Sequence, residues 1–461
     1  MINSSRLIKN SISNIVNGFA TSLMSVAITP FLYEILTKDE FSIWSVTIQL
    51  GILINVAATS LQVSVGRFVS YRSNSLSKSV NSMFRFQQLA FCLILLSTLF
   101  ISLLSINYGW LIQNYQTITD TLPNASWSIS IVCFSYMLNI FGGYFTGVFI
   151  GKEKNEIPAL VNVVFKCILG VVLVNVAHYG LLAMSLSFFI INIFSYLVLC
   201  YLSPSYVKFI FIRCAKKVIN LFPELNNEEW RYYYGVFVLN FSTFLVSGIG
   251  LLIISKFDYA NVAHYSVAIG IVNLFVGAIS TVLSPFIQPL TIYHRNQQLD
   301  KIDQVFLKLT IFLCLCISIL ILFSIVFSKI FFEFWIDNVS GGEISNVFNA
   351  LLLVYLVRLV GIPFSLVLLA KGMQNKSLVL PLVEGGLNLV LGTILVQFFG
   401  WVGIYFAVGF SGVFVLLLYV NLTKKLLSIN IGKFTLFSIY VIFPTSMILV
   451  NFYVFLKVFV W

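Results

Sequence analysis

Two basic side chains and one acid sit where an apolar sequence should hold none. The stretch VYLVRLVGIPFSLVLLAK runs from Val354 to Lys371, and Arg358 is its one interior charge. Lys371 suits a membrane edge. Arg358 lies about 13 residues further in, roughly 20 Å along a helix at 1.5 Å per residue. Lys166 in LVNVVFKCILG and Glu384 in LVEGGLNLV are also interior to apolar runs. A central Lys or Arg costs about 2.5–3.5 kcal/mol on insertion scales, so such a residue faces a wet cavity, a partner or a ligand. Two cations flanked by amides can hold an anion through charge-assisted hydrogen bonds. A lone carboxylate can take up and release a proton or hold a sodium ion, which makes Glu384 the candidate for H+ or Na+ coupling.

The elements that must carry these residues are membrane spans. The chain has 461 residues, of which 59% are hydrophobic and 9% charged, against about 25% charged in soluble domains. The mean hydropathy of +0.99 holds along the whole length. Twelve spans are expected, at roughly 11–33, 43–65, 86–107, 126–150, 158–178, 181–202, 233–254, 262–287, 309–331, 345–370, 378–398 and 401–423. A thirteenth apolar run covers 434–456, with Pro444 inside it. The first run is too long for a signal-peptide core, and no small-residue cleavage site follows it. With three histidines and no cluster of His, Cys and carboxylates, no metal or other resident cofactor is expected.

Loop charges set the orientation. Of the 27 lysines and arginines, 21 fall in loops on the N-terminal side, four on the other side, and Lys166 and Arg358 lie inside spans. This places the N-terminus in the cytoplasm. It also explains the net charge of +11 without nucleic acid. The outer loops are short, INYGWLIQNYQTITDTLPNAS being about the longest, which argues against a membrane polymerase or ligase with an extracytoplasmic catalytic loop. The basic stretch KFIFIRCAKKVINLFPELNNEEWR links the first six spans to the next six and reads as an interfacial amphipathic segment. The expected domains are therefore a six-helix lobe at 1–203, a cytoplasmic linker at 204–232, a second six-helix lobe at 233–425, and an additional apolar helix at 426–461.

The two lobes carry a repeat. YMLNIFGGYFTGVFIGK at 136–152 aligns with YLVRLVGIPFSLVLLAK at 355–371, matching Tyr136 with Tyr355, Gly142 with Gly361, Phe145 with Phe364, Val148 with Val367 and Lys152 with Lys371. WSV at 44–46 aligns with YSV at 265–267, Arg72 with Arg295, and LGVVLV at 169–174 with LGTILV at 391–396, all at nearly the same offset. Both halves begin on the same side. The expected architecture is all-α, with two parallel lobes related by a pseudo-twofold axis along the membrane normal and a substrate site between them.

The repeat sets Asn139 against Arg358, Asn162 against Glu384, and Lys166 against Asn388. The last two pairs give each lobe an i,i+4 polar stripe. Lys166, Arg358, Asn139, Asn162 and Asn388 are the candidates for a substrate cavity. Other readings stay open. Arg358 and Glu384 can form a structural ion pair, since their axial offset of roughly 10 Å is within reach of two long side chains. Lys166 can snorkel to the cytoplasmic edge. The asparagines, including Asn55 and Asn240, can be interhelical glue. Pro285 and Pro289 in LSPFIQPL kink the eighth span.

Over residues 5–425 this pattern resembles the polysaccharide-transport branch of the multidrug/oligosaccharidyl-lipid/polysaccharide exporter superfamily, and most of all the bacterial O-antigen flippases of the Wzx type. The opening NSISNIVNGFATSLMSVAITPFLYEILTKDEFSIWSV is similar to the family's first hairpin, although Phe41–Ser42–Ile43–Trp44 stands where many members have a Tyr-Gly-x-Trp-like stretch. The resemblance implies a MATE-like fold and no covalent chemistry. It implies transfer of an undecaprenyl-diphosphate-linked oligosaccharide from the cytoplasmic to the periplasmic leaflet of the inner membrane by alternating access, alongside polymerase and chain-length partners. Lys166 and Arg358 would then face the diphosphate. The alternative is a cation-coupled drug exporter of the same fold, which two intramembrane cations against one acid disfavour.

The orientation is testable in whole cells. A cysteine placed at Lys216 should resist a membrane-impermeant thiol reagent until the cells are opened; labelling of intact cells would reverse the topology.

Overall fold

The computed structural model describes residues 26–72, 76–204, 225–283, 286–336, 338–371 and 374–426, and Gly18, Leu23 and Met24 singly. The described residues are all-α, with no strand among them. In chain order the helices are α1 (Val26–Ile35), α2 (Lys38–Tyr71), α3 (Leu76–Ile106), α4 (Tyr115–Thr121), α5 (Ala125–Gly151), α6 (Glu156–Val176), α7 (Leu181–Leu202), α8 (Asn227–Ser247), α9 (Ile249–Phe257), α10 (Val262–Leu283), α11 (Ile287–Arg295), α12 (Leu299–Trp335), α13 (Asn338–Leu359), α14 (Ile362–Ala370), α15 (Gln374–Phe399) and α16 (Trp401–Leu426). Among the described residues, ten helices are long and apolar enough to cross a membrane, or 11 if the bent pair α8 and α9 is one span. The chain is a multi-pass membrane protein. Most of the expected first span, the amphipathic reading of the linker and the run at 434–456 lie outside the described residues.

Sequence punctuation sets the helix ends. Thr37 caps α2 reciprocally with Glu40: the Glu40 amide donates to Thr37 Oγ1 at 3.3 Å, and the Thr37 amide donates to Glu40 Oε2 at 3.0 Å. The long loop between α3 and α5 is itself folded, with α4 inside it and the Tyr108 hydroxyl 2.8 Å from Ser130 Oγ.

Two spans expected to be continuous are interrupted, and the eighth, expected to kink at Pro285 and Pro289, is divided between two helices. The span expected at 233–254 bends by 46° between α8 and α9. The sequence there is Ser247-Gly248-Ile249-Gly250, and such Gly/Ser pairs are a usual cause of sharp kinks. The span expected at 345–370 breaks between α13 and α14, where the Val360 and Gly361 amides donate to the carbonyls of Val357 and Arg358 at 3.1 and 3.0 Å. Pro363, in the first turn of α14, has no N–H to continue the ladder to Leu359. Helix α10 ends at Leu283, and α11 begins at Ile287 with Pro289 in its first turn.

The chain forms two compact units, Met1–Phe244 and Leu245–Trp461. The division falls inside α8, beyond position 233, where the sequence reading begins the second lobe. Hydrogen bonds account for this. Glu229, fully buried near the start of α8, pairs with Arg72 at 2.5 Å and Arg85 at 3.1 Å. It also accepts from Ser82 Oγ at 3.0 Å and from the Asn226 amide at 3.0 Å. Further along, Asn240 Nδ2 donates to Ser60 Oγ at 3.0 Å. Tyr233 belongs to the core that Leu61, Val65, Phe86, Ile140 and Tyr144 form.

Close backbone contact joins α2 to α5 in the first unit. Gly143, Gly147 and Gly151 recur every four residues on α5. A Cβ at these positions would stand 2.6 Å from the Ala58 carbonyl oxygen, 2.6 Å from that of Gln62 and 2.7 Å from that of Gly66, respectively. Helices in lipid gain little from burying apolar surface against each other, so small residues that allow backbones to touch do much of the packing. In the second unit, every residue of α13 from Ala350 to Val357 is buried, and Leu351 and Leu356 have no exposed surface.

Gly147→Val should therefore cost about 1–3 kcal/mol, because the added side chain meets backbone that cannot yield. Gly277→Ala, with open space at its Cβ, should be neutral or slightly stabilising. Melting in detergent compares the two, and equal midpoints would refute the packing argument.

Candidate functional site

The polar stripes face away from the apolar exterior of their helices. On α6, Leu160, Val164, Ile168 and Val171 are exposed. At 100° per residue, Asn162 and Lys166 lie on the opposite side. On α15, Val379, Val390, Ile394 and Phe398 are exposed, and Glu384 and Asn388 are buried on the far side.

In the second unit, the structure brings Arg358 and Glu384 together. Arg358 Nε lies 2.7 Å from Glu384 Oε1, with the carboxylate side chain 6% exposed and the arginine 23%. The ion pair left open by the sequence is thus the observed arrangement, and it joins α13 to α15. The span breaks just past Arg358, at Gly361 and Pro363. Gly412 on α16 lies beside the arginine, where a Cβ would make an ordinary contact 3.9 Å from Arg358 Cβ.

One turn beyond Glu384, Asn388 is fixed on both sides of its amide. Its Nδ2 donates to the Val246 carbonyl at 3.0 Å, and its Oδ1 accepts from Ser411 Oγ at 3.1 Å. The Tyr355 hydroxyl donates to the same Val246 carbonyl at 3.2 Å. Val246 lies in the last turn of α8, where carbonyls lack intrahelical donors. Asn388 and Tyr355 supply the donors that the break at Gly248 removes. Neither partner was legible in sequence, because the orphan carbonyl exists only once the helix breaks.

In the first unit, the repeat-equivalent residues are arranged differently. Asn139 does not meet Asn162; its Nδ2 donates to Asn55 Oδ1 on α2 at 2.7 Å. Asn162 is half-buried and makes no hydrogen bond to another described residue. Lys166 reaches sideways to α7, its Nζ 6.0 Å from the centroid of the Phe188 ring. This is the outer limit of a cation–π contact, and it is not the path of a side chain snorkelling along α6. Phe188 also packs against Trp44 and Tyr136, with centroids 5.9 and 5.5 Å away. No carboxylate pairs with Lys166 among the described residues. One feature of the repeat persists: Lys166 crosses from α6 to α7 as Asn388 crosses from α15 to α16.

The two intramembrane cations thus differ chemically. Arg358 is neutralised by a neighbour. Lys166 lies beside the Phe188 ring and has no carboxylate partner among the described residues.

No family model matches the chain, and no curated protein matches it. Solved structures do. Lipid II flippase MurJ in an inward closed conformation superimposes with a TM-score of 0.66 at 16% identity, over 98% of this chain and 97% of that one. The inward-facing conformation of a multidrug resistance MATE family transporter of the MOP superfamily gives 0.65 at 12% identity, over 88% and 95%. An outward-facing conformation of a transporter so described gives 0.63 at 12% identity, over 92% and 95%. At these identities the likeness defines the fold: an all-α membrane fold shared with MATE transporters and MurJ.

The Arg358–Glu384 pair generates a double-mutant prediction. Removing one partner strands a charge, at a cost of about 3–5 kcal/mol, whereas removing both does not. Arg358→Ala and Glu384→Ala should each lower the melting temperature, and the double variant should recover part of the loss. Losses that simply add would contradict a structural pair.

Proposed function

We propose that this chain is a flippase that carries an undecaprenyl-diphosphate-linked oligosaccharide, an O-antigen unit or similar, from the cytoplasmic to the periplasmic leaflet of a bacterial inner membrane by alternating access. The observation that carries this reading is Lys166: a cation inside a span, turned away from the apolar face of α6 and unpaired with any described carboxylate. A membrane-embedded cation of this kind is matched by an anionic ligand, and a diphosphate supplies two anionic groups for charge-assisted hydrogen bonds. The fold shared with MurJ, a lipid II flippase by description, supports a lipid-linked cargo. The lipid tail needs no cavity, because it can stay in the bilayer while the headgroup moves.

The second reading is a cation-coupled exporter of small molecules, favoured by the likeness to MATE transporters. It calls for an accessible intramembrane acid. Glu384 is held by Arg358 at 2.7 Å, which leaves it little charge for a cationic drug. In the flippase reading, Glu384 serves H+ or Na+ coupling only when Arg358 lets go of it, and Arg358 is then free to meet the diphosphate. Polymerase and chain-length proteins are the proposed partners.

The test replaces Lys166 in cells whose surface polysaccharide depends on this chain. Lys166→Ala should abolish surface polysaccharide at normal protein level, and Lys166→Arg should keep most of it. Full export by the alanine variant would remove the basis of the proposal.

A further inference from the structure

Helix α2 presents an outer face unlike those of the other long helices of its unit. On α3 the exposed side chains Leu95, Leu96, Leu99, Leu103 and Ile106 form an apolar strip suited to lipid. On α2, Asn55, Thr59 and Gln62 are half-buried, and Arg67 and Ser70 beyond them are exposed. Asn55, Thr59 and Gln62 form an edge, lying within about 60° of one another around the helix, and the exposed Ile52 and Val63 continue the same face beyond Thr59 within about 40°. Amides left partly open to hydrocarbon are costly, so this edge faces water or a polar ligand.

Neighbouring helices extend the edge and orient it. Asn139 on α5 donates to Asn55 Oδ1 at 2.7 Å. That fixes the Asn55 amide and leaves its NH2 without an acceptor among the described residues. Asn240 on α8 donates to Thr59 Oγ1 at 3.4 Å and to Ser60 Oγ at 3.0 Å. Gln62 makes no hydrogen bond to another described residue. The glycine contacts of α5 lock α2 at this height, since Gly147 touches the Gln62 carbonyl. In the second unit α10, which the repeat aligns with α2, likewise exposes Asn273 and Thr281.

We propose that Asn55, Thr59 and Gln62 form a glycan-binding subsite, in which neutral amides and a hydroxyl exchange hydrogen bonds with sugar hydroxyls. The inference rests on the flippase reading and adds where the sugar is recognised. The chemistry of the edge selects the ligand. Amides both donate and accept, as sugar hydroxyls do, and the Thr59 hydroxyl, whose proton goes to the Val56 carbonyl at 3.1 Å, can accept. The three side chains carry no charge with which to hold a phosphate or a cationic drug. They span about 10 Å of helix, seven residues at 1.5 Å each, so they meet an extended headgroup at several points. This edge would set which oligosaccharide is carried, while Lys166 would serve the diphosphate common to all of them.

Two experiments test it. In opened membranes, Thr59→Cys and Gln62→Cys should react with a water-soluble maleimide at least about tenfold faster than Leu99→Cys, above the background of the seven native cysteines. Rates as slow as that of Leu99→Cys would show a lipid-facing edge and overturn the proposal. The purified protein in nanodiscs is then titrated with undecaprenyl diphosphate, with and without attached sugar. The unsubstituted protein should bind the sugar-bearing lipid more tightly. Thr59→Val and Gln62→Leu should each reduce that preference about threefold to tenfold, the worth of one neutral hydrogen bond, and leave the sugar-free lipid unaffected. A preference unchanged in both variants, or an equal loss for both lipids, overturns the subsite while the flippase reading stands. Failure of the unsubstituted protein to bind either lipid overturns both.

Discussion

Hydrocarbon offers a charge no water, so each ionised group inside a span must be matched from within the protein or by what it carries. The Arg358–Glu384 contact is that rule in its plainest form. It holds α13 to α15, next to a break that Pro363 imposes. The same rule governs Val246, whose carbonyl is orphaned by the bend at Gly248 and recovered by Asn388 and Tyr355. It also governs Glu229, which has no exposed surface and is surrounded by two arginines, a serine and a backbone amide. Each conspicuous polar group thus marks a place where one helix is fastened to another.

Against that background, the polar groups left unfastened stand out. Lys166 lies beside the Phe188 ring with no described carboxylate; Gln62 and the NH2 of Asn55 are half-buried and make no hydrogen bond to another described residue. A transport protein must leave some of its polar capacity unused in the resting state, because the cargo's hydrogen bonds replace those of water during passage. In this reading, the first unit carries an open cation and an open amide edge, and the second carries a pair that closes on itself. Positions that the sequence repeat aligns differ in chemistry: Asn139 meets Asn55, whereas Arg358 meets Glu384.

Much of the fold was legible because apolar runs of span length leave little freedom, and α5, α7 and α16 begin within a residue of their expected starts. The interruptions were harder to read. Gly248 and Pro363 are visible as letters, but a glycine or proline in a span signals a break only when neighbours take over the freed backbone groups. The Gly143–Gly147–Gly151 repeat was equally visible, and its meaning depends on α2 lying against it. The Arg358–Glu384 pair stood as one of two readings because sequence gives axial depth and not which spans adjoin. Glu229 was hidden by its place beside the linker, where an acid reads as a solvated end; only its contacts with Arg72 and Arg85 show that the start of α8 belongs to the first unit.

The proposed movement of a lipid-linked diphosphate sugar between leaflets is tested most directly in proteoliposomes containing this chain as the sole protein and undecaprenyl diphosphate bearing a fluorescent sugar in both leaflets. A membrane-impermeant quencher is added outside, and the protected fraction is followed. With the chain present, the protected half should fall as inner-leaflet lipid reaches the surface, and Lys166→Ala should stop that fall. A protected half that persists as it does in protein-free vesicles, in the presence of either a proton or a sodium gradient, would contradict the account.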